Sequence, residues 1–566
     1  MRFFALAPAA AALLLLAGCQ GQSSSGSAAT ASAPGQVPAD SISARDIGEH
    51  IRVLASDEFQ GRKPFTAGEE KATAYIAAEF KRLGLQPSPN GTYFQPVPLV
   101  EITGTPAATM QVSGGKGQPL TLKHLQDYVA FTEREQPKVS LTNSPLVFAG
   151  YGVVAPEYNW NDYAGLDVKG KTVVVLINDP GFEIGDTTLF KGKAMTYYGR
   201  WTYKYEEAAR QGAAGVLIVH NTKPASYPWG VVQSSWTGAK LYPQTADKGA
   251  SKPAIEGWVQ LDVAKRLFAA AGQNYDEAFA AANKRGFRGR PLGNLAVSTS
   301  VSNQLRRTES KNVVGVLPGT TRPDEYILYT AHWDHIGVGP VVAGDSIYNG
   351  AIDNASGVAA LMSIAKGFAR AKEKPARSIV FVAVTGEEQG LLGSAYYAAH
   401  PLFPLHKTVA DLNMDALSAA GPMKDLTVVG YGQSELDEYA RDAAQEQGRY
   451  IAPDPTPEQG SFFRSDHFSL AHVGVPALYA SGRAEHRTKG TSYATQQREE
   501  YRSKHYHQPS DEYTPEQWDL TGMEQDARLL FRVGQRLAGE TTFPQWKAGS
   551  EFKAIREKSL KAAPRT

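Results

Sequence analysis

This 566-residue chain holds a single cysteine, Cys19, so its body has no pair from which to make a disulfide. Its 58 Lys and Arg nearly cancel its 57 Asp and Glu, leaving a formal net charge of +1. That balance gives a nucleic acid no electrostatic foothold, and none is expected as partner. Beyond the N-terminus no run is long and apolar enough to span a bilayer, and no internal repeat is visible. What the chain does have is a 42% apolar share and a 20% charged share, which suit a globular protein with ample core. Its length predicts more than one structured unit.

The N-terminus reads as a targeting segment. Arg2 precedes the apolar run 13–16, which leads to Leu16-Ala17-Gly18-Cys19. A short apolar core followed by small residues predicts a signal peptide over 1–18. The sequence around Cys19 resembles a bacterial lipobox, which implies cleavage before Cys19 and lipidation of its thiol. An ordinary secretory signal that happens to contain a cysteine is the alternative. Residues 19–45 are then the lipidated cysteine and a flexible Ser, Ala, Gly and Pro tether. The expected protein is exported and held to a bacterial membrane through Cys19; Gln20, in place of Asp, implies the outer membrane.

The pattern of the body is α/β. Thr66-Ala67-Gly68-Glu69 has capping-box spacing, and Ala72, Ile76, Phe80 and Leu83 follow at helical intervals. Residues 312–317, 326–330, 378–384 and 408–412 read as strands, with helical stretches at 357–371 and 391–399 between them. That alternation predicts a mixed sheet covered by helices on both faces. Ligands in such folds gather at the carboxyl ends of strands. Within 140–290 the texture differs: a β-branched run at 172–177, a helix at 205–212 and a strand at 215–220. The polar stretch 483–504 is expected as a loop at the cleft rim.

Five short motifs hold the chemistry. They are Ala331-His332-Trp333-Asp334-His335, Gly350-Ala351-Ile352-Asp353-Asn354, Thr385-Gly386-Glu387-Glu388, Leu412-Asn413-Met414-Asp415 and Tyr506-His507-Gln508-Pro509-Ser510-Asp511. Together they offer two histidines and three carboxylates to a pair of divalent metals, with one carboxylate to spare. Zinc favours that nitrogen and oxygen mixture. Two close metals beside a free carboxylate make a hydrolase. Asp353 has a second reading, as a cap on the helix that Asn354, Ala355, Ser356 and Gly357 open. Arg464 has two readings as well, as a contact for a substrate carboxylate or as a salt-bridged surface residue.

The order and spacing of these motifs resemble the M28 family of metallopeptidases, the co-catalytic zinc aminopeptidases. The resemblance extends to Leu54-Ala55-Ser56-Asp57-Glu58-Phe59-Gln60-Gly61-Arg62 and to an inserted, β-rich protease-associated domain. It implies a catalytic domain over 46–139 and 291–545, the insert over 140–290 and a C-terminal tail over 546–566. By the same resemblance two zinc ions are held by His332, Asp353 and Asp415 and by Asp353, Glu388 and His507, with Asp353 bridging. Glu387 is then the base that takes a proton from water and returns it to the leaving amine, and Asp334 tunes the site from behind His332. His335 has no ligand role in that pattern. Asp511 is expected to orient the His507 ring, and Ser465-Asp466-His467-Phe468 to support the pocket wall. The implied activity is peptide hydrolysis, as an aminopeptidase. Relatives also include carboxypeptidases and other amidohydrolases, and a binding protein on a retired scaffold belongs to a different class again. The insert is either a structural element or a gate on substrate access.

Overall fold

The computed structural model describes residues 41–562; the signal peptide, Cys19 and residues 20–40 of the tether lie outside that span. Among the described residues no helix is long and apolar enough to cross a membrane. The last residues expected in the tether are packed. Ile42 is buried, the Ser43 hydroxyl caps the Asp46 N–H at 3.2 Å, and the helix Ala44–Leu54 follows at once. The expected tail is packed too. Trp546 and Phe552 are buried, and Arg556, on the helix Lys553–Ala562, donates to the carbonyls of Leu405 and Thr408.

A mixed sheet of 16 strands forms the spine of the described residues. Its catalytic half runs, edge to centre, through Tyr450–Pro453, Asp425–Val428, Ala477–Ser481, Thr408–Asn413, Arg322–His332, Arg377–Val384 and Arg290–Leu317. Arg322–His332 is parallel to both Arg377–Val384 and Thr408–Asn413, and Thr408–Asn413 is parallel to Ala477–Ser481. Arg377–Val384 and Thr408–Asn413 are buried along their whole length, as parallel strands covered on both faces should be. Period-2 alternation sends Ile379, Phe381 and Ala383 into a core with the helices Ala44–Leu54, Ala67–Arg82, Ser356–Arg370 and Thr521–Gly539. It sends Val380, Val382 and Val384 to the other face, against Tyr397 and Leu470. The expected α/β architecture, with helices on both faces, is what forms.

The sheet continues without a break into the segment 140–290. The strand Arg290–Leu317 pairs with Arg377–Val384 at its C-terminal end and with Lys138–Phe148 at its N-terminal end. Beyond come Thr172–Leu176, Gly215–His220, Ile255–Gln260 and then Tyr128–Phe131. This last strand lies before residue 140 yet pairs with Ile255–Gln260. The tyrosines of the segment are local core: Tyr197, Tyr198 and Tyr203 are buried, and Tyr197 packs on Phe463 and Phe468 of the catalytic half.

Two local expectations are corrected. The Thr66 hydroxyl accepts from the Gly68 N–H, while Glu69 accepts from Phe65 rather than from Thr66. The reciprocal capping box is therefore replaced by a reach one residue further back, because Glu69 is also held inward by Ser310. The stretch 483–504 is not a loop throughout: Gly490–Glu500 is a helix, and its polar residues make an exposed helical face.

Candidate metal centre

The five motifs meet at the carboxyl ends of the parallel strands. His332 closes its strand, Glu387 and Glu388 follow Arg377–Val384, and Asp415 lies two residues past Thr408–Asn413. The buried His332 ring contacts the Asp334 carbonyl through Nδ1 at 3.1 Å. A carbonyl only accepts, so Nδ1 donates to it and Nε2 is the nitrogen turned into the site. Nε2 lies 3.2 Å from Asp353 Oδ1 and 3.4 Å from Asp415 Oδ1. On the other side, His507 Nε2 lies 3.3 Å from Asp353 Oδ2 and 3.1 Å from Glu388 Oε2. Asp353 thus turns one oxygen to each histidine.

Both Nε2 atoms are buried and lack a hydrogen-bond partner. Buried polar groups are normally satisfied, and a cation between each nitrogen and its carboxylates supplies what is missing. The residues therefore fit two divalent metals, and the nitrogen and oxygen donors fit zinc. Two groups of donors converge closely enough for an ion, His332 with Asp353 and Asp415, and His335 with Asp353 and Glu388.

His335, for which the resemblance implies no ligand role, reaches the centre itself. Its Nδ1 is 2.5 Å from Glu388 Oε1, so His335 and His507 grip the two oxygens of one carboxylate. Glu387, next in chain, stands apart: its Oε2 is 4.0 Å from His332 Nε2, and its N–H donates to Asp334 Oδ1 at 3.1 Å. The Asp334 carboxylate thus fixes the backbone of Glu387, while its carbonyl fixes His332. Burial drives the Glu387 carboxyl well above the ordinary range, and Asp415 and Glu388 add to the rise although His332 opposes it. Glu388 moves the other way, to about 2, because His335 and His507 outweigh burial and Asp353. The adjacent acids are electrostatically distinct, as expected of a base beside a ligand.

Neighbouring side chains hold several of these residues in place. Asp415 Oδ2 accepts from the Ser465 hydroxyl at 2.6 Å, and Ser465 accepts from Asn413 Nδ2 at 2.7 Å. Ser394 donates to Asp466 at 2.6 Å. Asn354, not Asp353, serves the helix: its Oδ1 accepts from Gly357 N at 2.9 Å and its Nδ2 donates to Met414 O at 3.0 Å. Asp353 is left free for the site. Asp511 does not orient the His507 ring. Its two oxygens accept instead from Ile352 N at 3.0 Å and Asp353 N at 3.1 Å. Gly350 also has positive φ (57°), and a Cβ there would meet Asp353 O at 2.3 Å. Arg464 is exposed.

Sequence reasoning missed Arg62 and Tyr506. The buried Arg62 guanidinium donates to the carbonyls of Leu54, Trp333, Asn349 and Gly350, tying the His332 and Asp353 loops together. The Gly61-Arg62 pair was visible, but nothing local says which carbonyls it meets. Tyr506 stacks on the His507 ring at 3.9 Å between centroids; its place beside a ligand was the available signal.

The geometry defines a two-cluster metal centre on a mixed α/β sheet. Residues 312–531 match the model of Peptidase family M28, a span that holds the five expected ligands and Glu387. The chain is 28% identical over 373 residues to Aminopeptidase NAALADL1 of Rattus norvegicus, covering 58% of this chain and 44% of that protein. It is 46% identical over 87 residues to a probable zinc metalloprotease of Pyricularia oryzae, covering 15% and 17%. The chain spans less than half the length of these curated relatives. Among solved structures, an aminopeptidase from Aneurinibacillus sp. strain AM-1 aligns at TM-score 0.47 and 20% identity, covering 89% of this chain and 96% of that one.

Proposed function

We propose that the protein is a two-zinc metallopeptidase that removes N-terminal residues from peptides. The observation that carries this reading is Asp353, with one oxygen toward His332 and the other toward His507. In it, His332, Asp353 and Asp415 hold one ion and Asp353, Glu388 and His507 the other. Bound zinc supplies Lewis acidity there, polarising a peptide carbonyl and acidifying water. Glu387 accepts the proton of the attacking water and passes it to the departing amine. Its buried, proton-retaining environment suits the second half of that task. Asp334 keeps Glu387 in reach through the backbone.

Carboxypeptidase action is the second reading, because a glutamate carboxypeptidase 2 homolog of Caenorhabditis elegans is 33% identical over 126 residues. Segment 140–290 is read as the protease-associated insert, which Tyr197 ties to the catalytic half. Cys19 is read as a lipid anchor at the outer membrane, on sequence alone. One peptide offered free and N-acetylated, with and without chelator, tests the activity. Chelator-sensitive release of the first residue from the free form alone supports an aminopeptidase. Release of the C-terminal residue from both forms moves it to carboxypeptidase, and chelator-resistant cleavage rejects the metal mechanism.

A further inference from the structure

Away from the metal centre, residues 284–290 read Lys-Arg-Gly-Phe-Arg-Gly-Arg, four cations and no acid in seven residues. They line a surface concavity of about 520 Å³ beside the helix Tyr275–Ala282. Lys284, Arg285 and Arg288 are exposed, and Arg290 is half-buried. Where these groups are bonded, their partners are neutral. Arg285 donates to Tyr158 O at 2.7 Å, Arg288 to Phe287 O at 3.4 Å and Arg290 to Gln273 Oε1 at 2.8 Å. Glu277 is the acid on the lining, while Asp276 is 3.6 Å from Lys265. In a chain whose formal charge is only +1, this is a local excess.

We propose that this concavity docks on the anionic phospholipid headgroups of a bilayer. Guanidinium groups held by neutral carbonyls are pre-aimed, and although Asp186 lies near enough to Arg285 to feel its charge, the cations outnumber the acids, which suits phosphate oxygens. Ala280, Ala281 and buried Phe287 form an apolar floor that a headgroup can cover. The inference uses the proposed anchor at Cys19. Lipidation of Cys19, where it occurs, would keep the body close to a bilayer surface. At such an effective concentration a weak electrostatic contact becomes persistent. Docking would hold the body in one orientation on the bilayer.

The test uses the full chain as Cys19→Ser, which removes lipidation, and sedimentation with phosphatidylcholine vesicles with or without phosphatidylglycerol. The expected result is binding only with phosphatidylglycerol, weakening as salt rises. The combined variant Lys284→Gln, Arg285→Gln, Arg288→Gln, Arg290→Gln should lose more than ~20-fold of that binding with its melting temperature unchanged. Equal binding by the variant, or no phosphatidylglycerol-dependent binding at all, overturns the proposal. Binding to heparin without binding to vesicles overturns it in favour of a soluble polyanion. Neither readout depends on peptidase activity, and mass analysis of the unmodified Cys19 chain tests the anchor separately.

Discussion

Asp511 and Asp353 are joined through the backbone: an Asp511 oxygen accepts the Asp353 N–H at 3.1 Å, and its twin accepts Ile352 N at 3.0 Å. The carboxylate that faces both histidines is thus aimed by a second carboxylate four residues past His507. Asp511→Ala should therefore weaken metal binding about 10–100-fold, the usual cost of removing an outer-shell partner. Metal content after dialysis against graded chelator measures this. Normal retention would show that the loop holds Asp353 unaided.

Arg62 carries a stability prediction. Replacing it with Met leaves the buried carbonyls of Leu54, Trp333, Asn349 and Gly350 without that donor. Each unsatisfied buried group costs about 1–3 kcal/mol, so Arg62→Met should lose at least ~3 kcal/mol by denaturant unfolding. Arg62→Lys, with a point charge in place of a planar fork, should recover only part of the loss.

The adjacent glutamates should separate cleanly. Glu387→Gln is expected to keep both metals and lose at least ~100-fold in turnover, the scale of a lost general base. Glu388→Gln should lose metal, since both of its oxygens face histidines. Metal loss in Glu387→Gln with retention in Glu388→Gln would reverse the roles.

Metal binding should strengthen as pH rises. In the metal-free site burial opposes protonation of His507, but Asp353 and Glu388 outweigh it and raise its pKa to about 10; Glu387, Asp353 and Asp415 likewise raise His332. Below those values the rings are protonated and a metal must displace the protons, so apparent affinity falls with falling pH. Calorimetry in buffers of different ionisation heat should show proton release on zinc binding at neutral pH. No release would mean that the rings are already neutral.

Much of this was legible in the sequence because the ligands sit in short motifs at strand ends. Val380, Val382 and Val384 alternate with Ile379, Phe381 and Ala383, and that run alone marks a strand buried on both faces. His332, Asp353, Glu388, Asp415 and His507, the expected ligands, come together. What stayed hidden depends on backbone direction. His507 and Asp511 are four apart, a spacing that suggests contact, yet Asp511 bonds the backbone of the Asp353 loop. Arg62 and His335 act on partners 271 and 53 residues away, and only the closed fold defines such partners. The unbroken sheet across residue 140 was hidden for the same reason, since strand pairing is not written in either strand alone.

The most direct test of the central claim is a count of metal per chain in the wild type and in Asp353→Ala, paired with peptide hydrolysis. The account predicts two zinc ions per wild-type chain, and loss of both metals and activity in the variant, because one side chain serves both positions. A single bound ion in the wild type, or an Asp353→Ala chain that keeps two ions and its activity, would contradict it.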